Sequence, residues 1–199
     1  MQSIKEISAN EMIGEFLKAE LHSSRFRAGS LRALAMLGYD EDLIENPQYD
    51  DASQNKKRVE VLGLCRGWPN TDLFTNFPGD SQWFMVKLSL DDLKNAYRLK
   101  SDPDMKDSDR LLVTTASRVM KGETVPNIDN KLIGEIREKI EQQVKLPPVI
   151  LVSTSLEHDK RVLIEGHSRS VAYTSFKHLP YDVPAIIGVS ANMASWPYF

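Results

Sequence analysis

Three short apolar runs constrain this chain more than any other feature: "VILV" at 149–152, "RVLIE" at 161–165 and "VPAIIGV" at 183–189. Each is too short and too rich in β-branched residues for a helix, and each is bounded by turn-forming residues. Pro147-Pro148 stops the helical pattern before the first run, "HDK" turns the chain between the first two, and Gly166 breaks the second. A helical pattern, "HSRSVAYTSFKHL", then leads to the third, with Val171, Ala172, Ser175 and Phe176 on one face. Strands alternating with helices in this way predict an α/β (α+β) fold built on a small mixed sheet.

The preceding segments fit that frame. Leu132, Ile133, Ile136, Ile140 and Val144 form one apolar stripe, with Asp129 or Asn127 available as its cap. "WFMVKLSLDDL", 83–93, reads as a strand entering a turn, and 101–126 as an excursion of loop and short helix. Ser8-Ala-Asn-Glu11 has the spacing of a capping box ahead of Met12, Ile13, Phe16, Leu17 and Leu21. A second helix runs through Leu31, Leu34 and Leu37 to Gly38, and a third through Val59, Leu62 and Leu64. Residues 1–82 are thus expected to be a mainly helical N-terminal region and 83–199 the sheet domain, the two forming one compact unit. Trp68, Phe74, Phe77, Trp83, Phe84 and Tyr97 read as core rather than as a base-stacking platform.

A net charge of −3 lacks the Lys and Arg excess that duplex binding draws on, so nucleic acid is not a favoured partner. The one dense basic patch, Lys56-Lys57-Arg58, reads as a solvated helix face. Cys65, the sole cysteine, has no companion for a disulfide or thiolate metal site, and "VLGLCRGW" predicts a buried thiol. No stretch reaches the roughly 18 apolar residues of a membrane span, and the first residues lack a signal-peptide core; the expected location is cytoplasmic.

The chemistry concentrates at one turn, "EGHSRS", 165–170. A strand ending in Gly166 and running straight into a helix leaves backbone N–H groups unpaired, a setting for an anion. Ser168 and Ser170 offer hydroxyls, and Arg169 matches phosphate oxygens bidentately. His167 can donate to a phosphate or shuttle a proton, and Glu165 can hold magnesium or accept a proton from a hydroxyl. In the competing structural reading, Ser168 caps the helix, Arg169 pairs with a carboxylate and His167 is a turn residue. "LHSSRFRAGSLR" adds His22, Ser23, Ser24, Arg25, Arg27 and Arg32, either phosphate grips beside the Gly166 turn or a helix junction answering the acids of "YDEDLIE".

The order helix, "LPPVILV", turn, "RVLIEGHSRSVAY", helix, "VPAIIG" resembles the core of the ParB/sulfiredoxin-like fold over residues 127–189, with "FMVKLSLDDL" in place of its first strand. The resemblance implies a nucleotide, ATP or CTP, held by its phosphates at the Gly-x-x-Arg turn, Gly166 to Arg169, together with Mg2+. Sulfiredoxins place a catalytic cysteine beside the His-Arg pair of this turn, whereas Cys65 is remote in sequence. ParB proteins follow the domain with a helix-turn-helix region, and the ten residues after Val189 are too few for one. Free-serine kinases carry Asp-Gly-His-Thr-Arg, to which Glu165-Gly166-His167-Ser168-Arg169 is similar. That likeness implies a catalytic role for Glu165 and a small hydroxyl-bearing acceptor, and the nearest acids to a second catalytic carboxylate are Asp91 and Asp92. The functional expectation is a nucleotide-binding protein with magnesium-assisted phosphoryl transfer or hydrolysis. The alternatives are a nucleotide-gated regulatory or DNA-associated module without turnover, and a nuclease.

Overall fold

The computed structural model describes residues 2–100, 109–158 and 160–199. Among these the chain opens with strand β1 (Gln2–Ile7), followed by helices α1 (Ala9–Leu21), α2 (Arg27–Leu37), α3 (Asp42–Glu45) and α4 (Ala52–Arg66). Strand β2 (Gln82–Leu88) leads into helices α5 (Leu90–Lys94), α6 (Leu112–Met120) and α7 (Asn130–Glu141). The remainder is β3 (Val149–Ser153), β4 (Val162–Glu165), α8 (His167–Thr174) and β5 (Val183–Val189).

Local chemistry sets most helix ends. Ser8 and Glu11 close a reciprocal capping box at α1, and Asp51 accepts from the Ser53 and Gln54 amides at α4. Gly38 and Gly67 terminate α2 and α4 in the left-handed conformation. Asp129, not Asn127, caps α7.

The sheet has the order β1-β2-β5-β3-β4. β5 pairs parallel with β3, and the other neighbours are antiparallel. Alternate residues of the central strands serve opposite cores. Ile150, Val152, Val162, Ile164 and Ile186 meet the apolar sides of α1–α4, while Val149, Leu151, Leu163, Ala185 and Ile187 meet those of α5–α8. The molecule is therefore a mixed sheet between two helical layers, an α/β fold. Burial of both faces explains why "VILV" and "VLI" show no polar alternation.

Phe74 anchors the aromatic side of the first core, its ring centroid 6.1 Å from Phe16, 4.8 Å from Trp68 and 5.3 Å from Phe77. Phe77 in turn lies 6.1 Å from Trp83 in a stacked arrangement. Phe84 packs on the core of the α5–α8 side and Tyr97 on the other. All six aromatics thus serve packing. Gly188 lets β5 pass under Trp83: a Cβ there would lie 2.6 Å from the indole ring. Gly188→Ala is expected to lower stability by about 1–3 kcal/mol through overpacking. An unchanged urea midpoint would show that the indole yields freely.

The structure refines some expectations and corrects others. The N-terminal region is not helical from its start, because residues 2–7 add an edge strand to β2 and share the sheet with the other half. The run at 83–93 is a strand only to Leu88; Ser89 then forms a capping box with Asp92 and starts α5. The excursion at 101–126 contains the nine-residue α6, which buries Leu112, Ala116 and Val119; residues 101–108 lie outside the described residues. α7 ends at Glu141, ahead of Pro147, and Val144 beyond it is 44% exposed. α8 stops at Thr174. On α4, Leu64 points outward and Cys65 is only half-buried, while Arg58, read as part of a solvated face, is fully buried. Its guanidinium donates to the carbonyls of Leu43 and Gln48 and lies 5.3 Å from the Tyr49 ring, holding the α3–α4 connection against α4.

Candidate functional site

The turn at the end of β4 is built around Gly166, whose φ of 93° is open to glycine and strained for other residues. A Cβ there would also lie 2.8 Å from Val149 Cγ1 and 3.1 Å from Arg169 Nη2, so both the conformation and the close approach require glycine. α8 starts immediately afterwards and no side chain caps it. Ser168 thus does not cap the helix. His167, Ser168 and Arg169 are half-buried, whereas Glu165 and Ser170 are buried. The Ser170 hydroxyl finds no partner among the described residues.

Arg169 does not reach outward. Its Nη2 donates to Glu165 Oε2 at 2.6 Å and to the Pro148 carbonyl at 3.2 Å, and its Nε is buried without an acceptor among the described residues. The partner side chains are 14% and 9% exposed, so this ion pair is largely shielded from water. The reading in which Arg169 answers a carboxylate is met by Glu165 itself, one helical turn back.

A second carboxylate–guanidinium pair sits nearby. Glu20 of α1, 2% exposed, accepts from Arg66 at the end of α4, whose guanidinium lies 3.8 Å over the Phe26 ring. Burial pushes the Glu20 carboxyl up to about 7 against the attraction of Arg66, and the charge of Glu165 adds to the rise. Arg25, 4.8 Å from the other guanidinium's Phe26 platform, donates to Asn127 Oδ1 at 3.0 Å and so ties the α1–α2 connection to the approach to α7. The neighbouring Cys65 thiol is raised by burial, and the charge of Glu20 raises it further, which disfavours the thiolate.

The rest of "LHSSRFRAGSLR" makes the helix junction. His22 meets Glu45 at 3.1 Å and Arg27 meets Glu41 at 2.9 Å, while Arg32 is exposed. Asp91 and Asp92 lie on α5, in a cleft they share with His158, Lys160 and Arg161 and whose lining includes none of residues 165–170. His178 is exposed.

Glu20 and Arg66 were not singled out from the sequence, yet a signal was present. Glu20 follows Phe16 by four positions and Leu17 by three, and Arg66 follows Leu62 by four. Both therefore stand on apolar helix faces, where an ionised group needs an internal partner.

One oxygen of Glu165, Oε2, is engaged by Arg169, so at most Oε1 is left to a magnesium ion, which takes several oxygens in near-octahedral order. Among the described residues no group of three His, Cys, Asp or Glu side chains is placed to hold a metal, and no helix is long and apolar enough to cross a membrane. The fold and site define a mixed α/β protein with an uncapped glycine turn flanked by two shielded ion pairs. No family model, curated protein or solved structure matches this chain.

Proposed function

We propose that the turn from Gly166 to Ser170 binds the phosphates of a nucleotide, in the way of the ParB/sulfiredoxin-like domains that this part of the chain resembles. The observation that carries the reading is the uncapped start of α8 behind a left-handed glycine, with a guanidinium held alongside it. The order α7, β3, β4, turn, α8, β5 agrees with the same resemblance. Glu165 then acts as the anchor of Arg169 rather than as a general base. An incoming phosphate would draw Nη1 and Nε of Arg169 to itself while Nη2 stays on Glu165. This assignment favours a binding or regulatory module over a phosphotransferase, and it requires no metal at Glu165.

Calorimetry with ATP, CTP, GTP and UTP tests this directly, in magnesium and again in excess chelator. Saturable binding of at least one nucleotide is expected in both buffers. Arg169→Gln should weaken it by about 1.5–3 kcal/mol, the scale of a lost charge-assisted contact. No heat with any nucleotide at millimolar concentration would sink the proposal. Phosphate release, transfer to an added hydroxyl compound or nicking of added nucleic acid would each replace the binding-module assignment by an enzyme.

A further inference from the structure

The cleft between α5 and the β3–β4 hairpin has a volume of about 630 Å³, within the range of small-molecule sites. Its polar groups do not balance one another. Arg161, with a side chain only 8% exposed, makes two contacts at the outer limit of hydrogen bonding, 3.5 Å to Asp92 Oδ1 and 3.4 Å to the Leu156 carbonyl. Its Nε is buried with no acceptor among the described residues. Among the described residues Nε is likewise unpaired at Arg58, Arg137 and Arg169, but those residues do not line this cleft. A guanidinium held so loosely gains by turning its fork onto a better acceptor.

The neighbours reinforce the positive side. Lys160 lines the cleft with its ammonium 4.2 Å over the Phe199 ring. Its pKa is lowered by burial and by the charges of Arg110 and Lys100, a sign of surplus positive potential around it. His158 accepts the Lys160 amide at Nδ1, 3.0 Å away, which places the proton of its neutral ring on Nε2 as a donor. Of the two acids, Asp92 is engaged by Ser89 and Asp91 stands in solvent. Asp92 accepts from the Ser89 hydroxyl at 2.7 Å and from its amide at 3.0 Å, and Asp91, 89% exposed, stands 3.8 Å from Lys94. Asn95 adds an amide, and Tyr97 and Leu111 an apolar wall.

We propose that this cleft is a second ligand site, separate from the Gly166 turn, for a small polyanion of phosphate or polycarboxylate type gripped by Arg161, Lys160 and His158. A multivalent oxyanion supplies the acceptors that the Arg161 guanidinium lacks, and Tyr97 and Leu111 can cover its carbon skeleton. The assignment does not depend on nucleotide binding at the turn.

The test titrates inorganic pyrophosphate, and in a parallel series citrate, into the full chain at fixed ionic strength while the His158 ring resonances are followed by NMR, assigned through His158→Gln. A saturable shift is expected with at least one probe, and the probe that binds more tightly names the oxyanion. Lys160→Met, which keeps the contact with Phe199, should weaken that binding by about tenfold or more, the scale of one charge-assisted contact. Arg161→Met should weaken it at least as far, and if that buried substitution prevents folding, the Lys160→Met result decides. Arg169→Gln should leave the His158 titration unchanged. The proposal is overturned by the absence of a saturable His158 shift with both probes, by undiminished binding in Lys160→Met, or by binding that Arg169→Gln abolishes and Lys160→Met does not. That last outcome moves the anion to the Gly166 turn and leaves the nucleotide reading standing.

Discussion

Glu165→Gln is expected to lower the stability of the fold and, at the same time, to tighten nucleotide binding. The substitution preserves shape and one acceptor oxygen but removes the charge that faces Arg169 at 2.6 Å. Because both side chains are largely shielded, losing one partner leaves a guanidinium charge poorly compensated. A cost of about 3 kcal/mol is expected, the lower end for a broken buried pair, since glutamine still accepts a hydrogen bond. An anion arriving at the turn would then find an uncommitted Arg169 and no competing carboxylate. Affinity should rise by roughly tenfold, the scale of one like-charge repulsion removed near the surface. Denaturant melts and calorimetry on the same preparation read both effects, and their opposite signs are the diagnostic. Weaker binding in Glu165→Gln would mean that the carboxylate itself holds ligand or metal, and the anchor role would fall.

The second large effect is in the pH dependence of stability. The Glu20 carboxyl, with an ordinary value of 4.5, is pushed up to about 7 by burial, with Arg66 opposing and Glu165 assisting the rise. The folded protein therefore binds this proton more tightly than the unfolded chain. The stability it contributes is complete below pH 4.5 and is lost as pH rises through 7. The loss is on the order of 3 kcal/mol across that window. Asp80 and Asp92, whose values are lowered, act in the opposite sense at more acidic pH, where their contribution is lost as pH falls. Glu20→Gln imitates the protonated acid. Its stability should match the parent near pH 5, exceed it at pH 8 and lack the decline between. Chemical denaturation at closely spaced pH values measures this, and parallel profiles for parent and variant would refute the assignment to Glu20. Glu165→Gln should flatten the same decline in part, since it removes one cause of the raised value.

What could be read from the chain was chemistry that acts over a few residues. The Ser8–Glu11 capping box, the stop at Gly38, the apolar stripe of α7 from Ile133 to Ile140 and the break at Gly166 each depend on neighbours within about one helical turn, and each stands where its residues predict. The uninterrupted runs of β3, β4 and β5 likewise carried their own signal, because strands covered on both faces must be apolar throughout. β1 was hidden for the converse reason: "QSIKEI" is a polar segment whose strand partner, β2, is distant in the chain.

The state of the charges could not be read in this way. Sequence placed Glu165 and Arg169 at one turn and left open whether they would face a ligand or each other, and only the packed turn brings Arg169 Nη2 to Glu165 Oε2. The same packing joins Glu20 to Arg66 from two different helices, turns Arg58 inward and sets Arg161 beside a cleft with Asp92. Local backbone geometry determined where the helices and strands of this protein begin and end. Tertiary structure decided which ionised groups lose their water and with whom they are paired, because desolvation depends on every element that closes over a side chain, whatever its place in the sequence.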